Sequence, residues 1–284
     1  VLALREDLLG ACLAAGEAPL GLFTLTAPTG TGKTYAMLAF ALRHAAANNL
    51  RRIVVVLPYL SIIEQTVQAY RQALSADVLP VFEHHSLAKG SPQEADDGNG
   101  KATDPGRWLA PNWDAPLIVT TSVQLLESLF SNRSSACRKL HHLARSVILF
   151  DEVQTLPLSL AIPTLATLSR LTERFGASVV FSTATQPAFS RLDDEVRKLC
   201  AAGWRPREIV PPALELFARA RRTRVVWPTP EAPARSWSEL AKELNSCGQA
   251  LCVLNLKRHA LRLYDELHAL GAEGLLHLST NLDR

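Results

Sequence analysis

A stretch of eight residues near the N-terminus, APTGTGKT, constrains the fold of this chain more than any other feature. It lies between an apolar run, GLFTLT, and a helical pattern, YAMLAFALRHA. Gly30 and Gly32 allow backbone conformations that are closed to residues with a Cβ, so successive N–H groups can turn inward as an anion-binding nest. A helix that begins near Lys33 would point the positive end of its dipole at the same place. The pattern therefore predicts a strand, a phosphate-binding loop and a helix.

The residues of this loop have distinct expected tasks. Lys33 would reach the β- and γ-phosphates of a nucleotide, and the Thr34 hydroxyl would coordinate Mg²⁺. Ala27 stands where the common form of the motif has its first glycine. The alternative is a glycine-rich turn that binds nothing, and a second motif described below argues against it. The predicted ATP-binding residues are Ala27, Pro28, Thr29, Gly30, Thr31, Gly32, Lys33 and Thr34.

Short apolar runs alternate with helical patterns along most of the chain. Five runs, GLFTLT, RIVVVLP, APLIVTT, SVILFDE and ASVVFST, are nearly continuous in apolar residues. Parallel strands that are covered on both faces have this composition. Strands separated by helices form right-handed βαβ units. We therefore predict a doubly wound α/β sheet.

The second motif, SVILFDEVQ, supplies the acidic groups that nucleotide chemistry needs. Its apolar strand delivers Asp151 and Glu152 to the carboxyl end, where ligands bind in open α/β sheets. Asp151 would hold Mg²⁺ through water, and Glu152 would position and deprotonate an attacking water. An acidic pair after a strand is also common as a helix N-cap. Together with the glycine loop upstream, the pair predicts a nucleoside-triphosphate hydrolase.

Composition and charge narrow the class of protein. The 284 residues carry a net charge of only +3 and are 48% apolar, which allows a sizeable core and argues against a histone-like wrapper of nucleic acid. Five scattered cysteines fit neither a disulfide framework nor a zinc ribbon, and they indicate a reducing compartment. Because no apolar span is long enough for a bilayer and the N-terminus lacks a signal-peptide pattern, we expect a cytoplasmic protein without membrane contact.

The pattern divides the chain into three parts. Residues 1–205 are predicted to form a nucleotide-binding domain, residues 206–235 a proline-rich linker, and residues 236–284 the start of a second domain with strands at QALCVLNL and EGLLHLST. Two or three strands cannot close a core of ordinary size, so we expect the second domain to be truncated. The stretch KGSPQEADDGNGKATDPG is predicted to be a surface insertion or a mobile loop.

Three further stretches end other strands at the same edge of the predicted sheet. FSTATQP places Thr183 and Thr185 where their hydroxyls could reach the turn after Asp151 and pass on the presence of a γ-phosphate. LPYLSIIEQ and IVTTSVQ offer an aromatic ring and small donors suited to phosphodiester contacts and base stacking. The alternative for Ser61 and Ser122 is a capping role at the start of the next helix.

In this order, APTGTGKT, LPYLSIIEQ, IVTTS, DEVQ and STATQ resemble the motifs of superfamily-two helicases. More specifically, MLAFALRHA, PYLSIIEQT, FEHHS, the stretch from NWDAPLIVTTS to DEVQTLP, and STATQPAF resemble the helicase portion of the CRISPR-associated helicase–nuclease of type I interference systems. The resemblance covers the chain nearly end to end. It implies a P-loop NTPase with a RecA-like doubly wound parallel sheet, and LCVLNLKRHALRLYDEL with LHLST would open a second RecA-like domain.

The resemblance implies roles for individual residues, with ATP and Mg²⁺ as cofactors. Gln154 matches branches of the family that carry Gln where others carry His, and it would couple hydrolysis to movement. The implied catalytic residues are Lys33, Asp151, Glu152 and Gln154, the coupling residues are Thr183 and Thr185, and the metal-binding residues are Thr34 and Asp151. The implied single-stranded DNA contacts are Pro58, Tyr59, Ser61, Gln65, Thr120, Thr121, Asn255 and Lys257.

The resemblance also implies a setting for the activity. The chain would be a monomer that translocates on single-stranded DNA in CRISPR type I interference, recruited by an RNA-guided surveillance complex. A separate HD nuclease is a further candidate partner, because the chain contains no His–Asp dipeptide and should lack nuclease activity. The later helicase motifs, including arginines that reach the γ-phosphate, are not present, so we expect ATP binding without efficient hydrolysis or unwinding. The alternatives are an RNA or DNA-repair helicase and a nucleotide-dependent clamp on DNA or a partner protein.

Some features have no assigned role at this point. Adjacent histidines such as His84 and His85 do not chelate a metal easily, so a structural or surface role is the favoured interpretation. Trp108 and Trp113 could stack on bases, although packing of a loop onto the domain is the favoured use. The arginines within 219–224 could contact DNA phosphates or belong to a solvated linker.

Overall fold

The computed structural model describes residues 2–74, 79–85, 112–229 and 233–279. The chain divides into two compact units, Val1–Arg222 and Thr223–Arg284. The boundary falls inside 206–235, the range interpreted as a linker. The predicted surface loop and Trp108 lie outside the described residues.

The first unit is built on a seven-stranded parallel sheet. Its order is β3-β4-β2-β5-β6-β1-β7, so the strand before the glycine loop lies beside β6, and β6 lies beside β5. This arrangement confirms the predicted doubly wound α/β fold. The strands are β1 (Leu22–Thr26), β2 (Arg52–Leu57), β3 (Val81–His84), β4 (Leu117–Thr121), β5 (Ser146–Asp151), β6 (Ser178–Thr183) and β7 (Arg207–Glu208).

Helices connect the strands and cover the sheet. The helices of the first unit are α1 (Leu2–Ala15), α2 (Lys33–Ala47), α3 (Leu60–Ala73), α4 (Ser122–Phe130), α5 (Ser134–Cys137), α6 (Leu140–Leu143), α7 (Leu158–Phe175), α8 (Asp193–Arg197) and α9 (Leu216–Arg219). Short 3₁₀ turns occupy Val153–Thr155, Phe189–Leu192 and Pro212–Leu214. Within the described ranges, no helix has both the length and the apolar character that crossing a membrane requires.

Side-chain alternation along the strands builds a core on each face of the sheet. Val55 packs in a cluster with α1, α2 and α3, whereas its neighbour Val54 packs in a second cluster with α4 and α7. Successive side chains of a strand point to opposite faces, and both faces of this sheet are covered. For this reason the strands read as continuous apolar runs.

Two short strands of the sheet were not predicted from the sequence. β3 contains Glu83 and His84, and β7 has only two residues, both exposed. Strands at the edge of a sheet need less apolar surface and can be shorter than central ones. The pattern of buried residues therefore does not mark them.

The second unit is helical where it is regular. Helix α10 (Trp237–Asn245) begins with a capping box in which Ser236 and Glu239 bond each other's backbone N–H, and it packs on α11 (Lys257–Ala269). The predictions of strands at QALCVLNL and EGLLHLST are wrong for the described residues of these segments. Their apolar side chains are exposed, Leu251 at 88% and Leu276 at 92%. A strand forms only when a neighbour pairs with its backbone groups, and the described residues of this unit supply none.

Candidate nucleotide-binding site

The glycine loop has the backbone geometry of an anion-binding nest. It joins the carboxyl end of β1 to α2, as its sequence predicted. Gly30 has φ 79° and Gly32 has φ 80°, values in the left-handed region that favour glycine. The first helical residue is Lys33, so the N-terminus of α2 faces the concave side of the loop. The Ala27 N–H donates to the Thr183 carbonyl (3.3 Å), which attaches the loop to β6.

The lysine of the loop is held inside it. Lys33 is only 8% exposed, and its Nζ donates to the Ala27 carbonyl oxygen at 3.2 Å. The Thr31 hydroxyl donates to the Pro28 carbonyl at 2.7 Å, which closes the turn from within. A bound phosphate would give the Lys33 ammonium a charged acceptor in place of the Ala27 carbonyl. A hydrogen bond between two charged groups is stronger than one from a charged group to a neutral carbonyl. The residues present therefore fit a nucleotide phosphate.

Asp151 ends β5 at the same edge of the sheet. Its Oδ1 accepts hydrogen bonds from the Glu152 N–H (3.0 Å) and the Ser182 hydroxyl (3.1 Å). Burial raises the pKa of this carboxyl and the charge of Glu152 adds to the rise, while the bond from Ser182 and the charge of Lys33 oppose it. Both hydrogen bonds end on Oδ1, and none within the described residues ends on Oδ2, so Oδ2 would be the acceptor for a water of hydrated Mg²⁺.

A chain of polar contacts links the acidic turn to β6. Glu152 has φ 51°, a left-handed conformation that is uncommon outside glycine and is typical of functional turns. Gln154 Nε2 donates to Glu152 Oε2 at 2.6 Å, and the Thr183 hydroxyl donates to Gln154 Oε1 at 2.5 Å. Glu152 precedes the 3₁₀ turn Val153–Thr155 but makes no side-chain cap bond. The geometry therefore does not fit the capping interpretation of the pair.

Thr185 and Ser182 differ from the sequence interpretation. Thr185 contacts the Thr183 hydroxyl through its backbone, with its N–H donating at 3.1 Å, and its own side chain is exposed. Ser182 was not singled out, although it pairs across the sheet with Asp151. A small hydroxyl residue one position before a strand end is the signal that could have identified it.

The residues predicted to contact DNA fall into three groups. Tyr59, Ser61 and Gln65 are exposed at the start of α3, and Pro58 is half-buried beside them. The hydroxyls of the two threonines that end β4 have partners within the fold: that of Thr120 donates to the His84 carbonyl (2.7 Å), and that of Thr121 accepts from the Gln124 N–H (3.1 Å). Asn255 and Lys257 lie in the second unit.

Neither Ser61 nor Ser122 caps the helix that follows it, so the capping role that the sequence left open for them is wrong. Thr121 caps α4 in place of Ser122, which is the first helical residue. The N-cap position of α3 is Tyr59, which makes no side-chain cap bond, and Ser61 lies in the first turn. The connections from β2 to α3 and from β4 to α4 are shorter than the sequence suggested, so the N-cap of each helix lies before the serine.

His84 and Trp113, two residues left without an assigned role by the sequence, contact each other inside the fold. Trp113 is fully buried, and the rings of His84 and Trp113 meet edge to face with centroids 6.2 Å apart. Burial lowers the pKa of His84 to about 4, and the nearby Lys139 charge contributes. Trp113 belongs to the core cluster that includes Ile118 of β4, and His84 is the last residue of β3. Among the described residues there is no cluster of three or more His, Cys, Asp or Glu side chains that could hold a metal ion.

Replacing Asp151 with asparagine is expected to stabilise the nucleotide-free chain at neutral pH by about 1 kcal/mol. Asparagine keeps the Oδ1 acceptor for Ser182 and the Glu152 N–H, and it removes a charge that burial disfavours. The folded-state pKa is raised, so the folded chain binds this proton more tightly than the unfolded chain. Stability from this group is therefore present at low pH and is lost as the pH rises between the two pKa values.

Thermal unfolding of both chains across pH measures this effect. The Tm gain of Asp151→Asn should be largest at about pH 7–8 and shrink toward about pH 4. Asp193→Asn is the matched control with the opposite sign, because bonds from the Trp204 N–H and Arg205 lower the pKa of that carboxyl. A lower Tm for Asp151→Asn at neutral pH would contradict this account of the site.

The fold and this edge of the sheet together define a P-loop NTPase of the RecA-like class. The family described as type III restriction enzyme, res subunit, matches residues 17–187, which is more than half of the chain. The chain belongs to this family.

Individual relatives agree with the resemblance seen in the motifs. The CRISPR-associated nuclease/helicase Cas3 of Haloferax volcanii is 30% identical over 194 residues, which are 63% of this chain and 21% of that protein. This chain therefore spans about a fifth of the length of that relative. These matches confirm that the chain is similar to the helicase portion of the CRISPR-associated helicase–nuclease.

Two solved structures agree on the fold. The T. fusca Cas3–ADP structure matches with a TM-score of 0.64 at 21% identity, covering 95% of this chain and 36% of the other. The T. fusca Cas3–ATP structure matches with a TM-score of 0.51 at 23% identity, covering 78% and 23%.

Proposed function

We propose that this chain binds ATP with Mg²⁺ and is the first motor domain of a superfamily-two helicase. One juxtaposition carries the proposal. The β1 loop with Lys33 lies beside β6 with Thr183, and β6 lies beside β5 with Asp151. A phosphate-binding lysine, a metal-binding carboxylate and a hydrogen-bonded relay therefore share one edge of the sheet, which is where α/β proteins bind ligands.

The side chains divide the chemistry among themselves. Mg²⁺, when bound, supplies neutralisation of charge on the phosphate oxygens. Thr34 and Asp151 are the residues that would hold it. Glu152 would orient the attacking water and accept its proton. Gln154 Nε2 donates to Glu152 Oε2, so Oε1 would be the carboxylate oxygen that accepts the proton of the water.

The contact between Gln154 and Thr183 supports the proposed coupling. Any shift of Glu152 on hydrolysis would change the 2.6 Å bond to Gln154 and then the 2.5 Å bond to Thr183. Thr183 starts the segment that contains Thr185 and continues into the 3₁₀ turn Phe189–Leu192. The nucleotide state would reach a neighbouring site in this way.

Single-stranded DNA is the proposed track, and the CRISPR type I interference system is the proposed setting. The exposed ring of Tyr59 and the exposed side chains of Ser61 and Gln65 suit base stacking and phosphate contacts. Thr120 and Thr121 are the least supported members of the proposed contact set, since their hydroxyls are engaged in the fold. The Haloferax relative, a CRISPR-associated nuclease/helicase, supports the CRISPR setting. An RNA-guided surveillance complex and a separate HD nuclease as partners, and a cytoplasmic location, belong to the same proposal.

Production of ADP by the chain tests the proposal. The assay is run without nucleic acid, with single-stranded DNA and with single-stranded RNA, and Glu152→Gln serves as the control. Stimulation by DNA that the variant abolishes supports a DNA motor. Equal stimulation by RNA supports the RNA-helicase alternative, and ATP binding without turnover favours a clamp. Absence of nucleotide binding overturns the proposal.

A further inference from the structure

An arginine from the far end of the first unit reaches the phosphate loop. A Cβ placed on Gly30 would lie 3.3 Å from Nη2 of Arg222. The guanidinium is therefore within about 5 Å of the Gly30 Cα, given the length of a C–C bond. Arg222 is separated from the loop by 192 residues in sequence, so its position comes from the fold of the first unit and not from the motif.

The segment that carries Arg222 is attached to the body of the unit. Leu216 is buried at 3% exposure and belongs to the core that includes α1 and α2. The Arg219 guanidinium donates to Asp7 Oδ2 at 2.6 Å and to the Leu214 carbonyl at 3.0 Å. The Ala220 N–H donates to the Leu216 carbonyl at 2.9 Å. Arg222 therefore starts two residues after an anchored backbone.

The charge of Arg222 is not neutralised within the described residues. Arg219, Arg43 and Arg52 each pair with a carboxylate, whereas Arg222 has no carboxylate within ion-pair distance in that part of the chain. Arg5 likewise has no carboxylate within ion-pair distance among the described residues. Its Cγ would lie 3.6 Å from a Cβ placed on Gly32. The guanidinium of Arg222 thus lies beside Gly30, and the aliphatic part of the Arg5 side chain lies beside Gly32.

We propose that Arg222 contacts the phosphates of a nucleoside di- or triphosphate bound in this loop, with Arg5 adding to the positive potential. This inference rests on the proposed function, since it requires the loop to bind a nucleotide. A guanidinium suits the role because its planar donors match phosphate oxygens in pairs and it stays charged at all relevant pH values. Arg222 is therefore a nucleotide-binding residue and not a DNA contact or a solvated linker residue.

Calorimetric titration with ADP and Mg²⁺ tests this assignment in three chains. Arg222→Ala is expected to weaken ADP binding about tenfold, which corresponds to one charge-assisted contact of about 1.4 kcal/mol. Arg221→Ala is the matched control, because it removes the same charge from the adjacent exposed residue and should stay within about twofold of wild type. The nucleotide-free Tm of both variants should match wild type, and the affinity of Arg222→Ala should depend less steeply on salt.

Three outcomes separate the claims. If wild type binds ADP, Lys33→Ala does not, and Arg222→Ala binds as tightly as Arg221→Ala, the arginine assignment fails and the nucleotide site stands. If Arg222→Ala loses affinity for single-stranded DNA and keeps it for ADP, the arginine is a DNA contact and the assignment is overturned. If wild type does not bind ADP at all, the proposed function and this inference fail together.

Discussion

Replacing Lys33 with alanine is expected to weaken ADP binding at least about a hundredfold. Lys33 Nζ lies inside the loop, 3.2 Å from the Ala27 carbonyl, and the side chain is 8% exposed. Charge-assisted hydrogen bonds contribute about 1.5–3 kcal/mol each, and about 1.4 kcal/mol is a factor of ten in affinity. Two such bonds to phosphate oxygens would therefore account for the loss. Titration calorimetry with ADP and Mg²⁺ gives the two dissociation constants.

The matched control for this variant is Lys198→Ala. Lys198 directly follows α8 and pairs with the exposed Glu195 at 2.5 Å, so its removal takes the same charge from the chain at little cost in stability. It should leave ADP affinity unchanged. A Lys33→Ala chain that binds ADP within about threefold of the control would refute the phosphate assignment.

The largest expected effect on stability is that of Phe181→Ala, a loss of about 3–5 kcal/mol. Phe181 is fully buried in the middle of β6, and its ring meets those of Phe150 (5.0 Å), Phe189 (5.9 Å) and Trp204 (4.7 Å). Truncation removes these contacts and leaves a cavity that rings cannot fill by small shifts. Denaturant unfolding of wild type and variant measures the difference.

Phe217→Ala is the control for this second prediction. Phe217 is 50% exposed, so the same truncation there should cost less than about 1 kcal/mol. A Phe181 variant that unfolds within 1 kcal/mol of the Phe217 variant would mean that this aromatic cluster does not stabilise the unit. Because Phe181 lies one residue before Ser182 and two before Thr183, the variant should also weaken nucleotide binding by loosening the edge of β6.

The fold of the first unit could be read from the sequence wherever burial leaves a pattern. Central strands such as β2 and β5 are covered on both faces, and that burial produced the continuous apolar runs that predicted them. The edge strands β3 and β7 were not predicted, because a strand at the edge of a sheet needs fewer apolar residues. In the second unit the run around Leu251 has strand composition, but composition does not supply the neighbouring strand that pairing requires.

The site could be predicted as far as motifs extend. Lys33 and Asp151 were placed correctly at one edge, because a strand followed by a glycine loop or an acidic pair fixes where these side chains emerge. Glu208 and Arg222 could not be predicted. Glu208 accepts hydrogen bonds from the Thr26 N–H (3.0 Å) and hydroxyl (2.7 Å), which holds the strand end before the loop across 182 positions of sequence. Arg222 reaches Gly30 from equally far away. Contacts between residues so far apart in sequence leave no local sequence pattern from which they could be predicted.

The most direct test of the central claim is a crystal structure of this chain with ADP and Mg²⁺. The account predicts the β-phosphate inside the loop 27–34, with Lys33 Nζ moved from the Ala27 carbonyl onto a phosphate oxygen and the Arg222 guanidinium turned toward the same group. A structure in which Lys33 keeps its bond to Ala27, or in which ADP binds elsewhere on the chain, would contradict it.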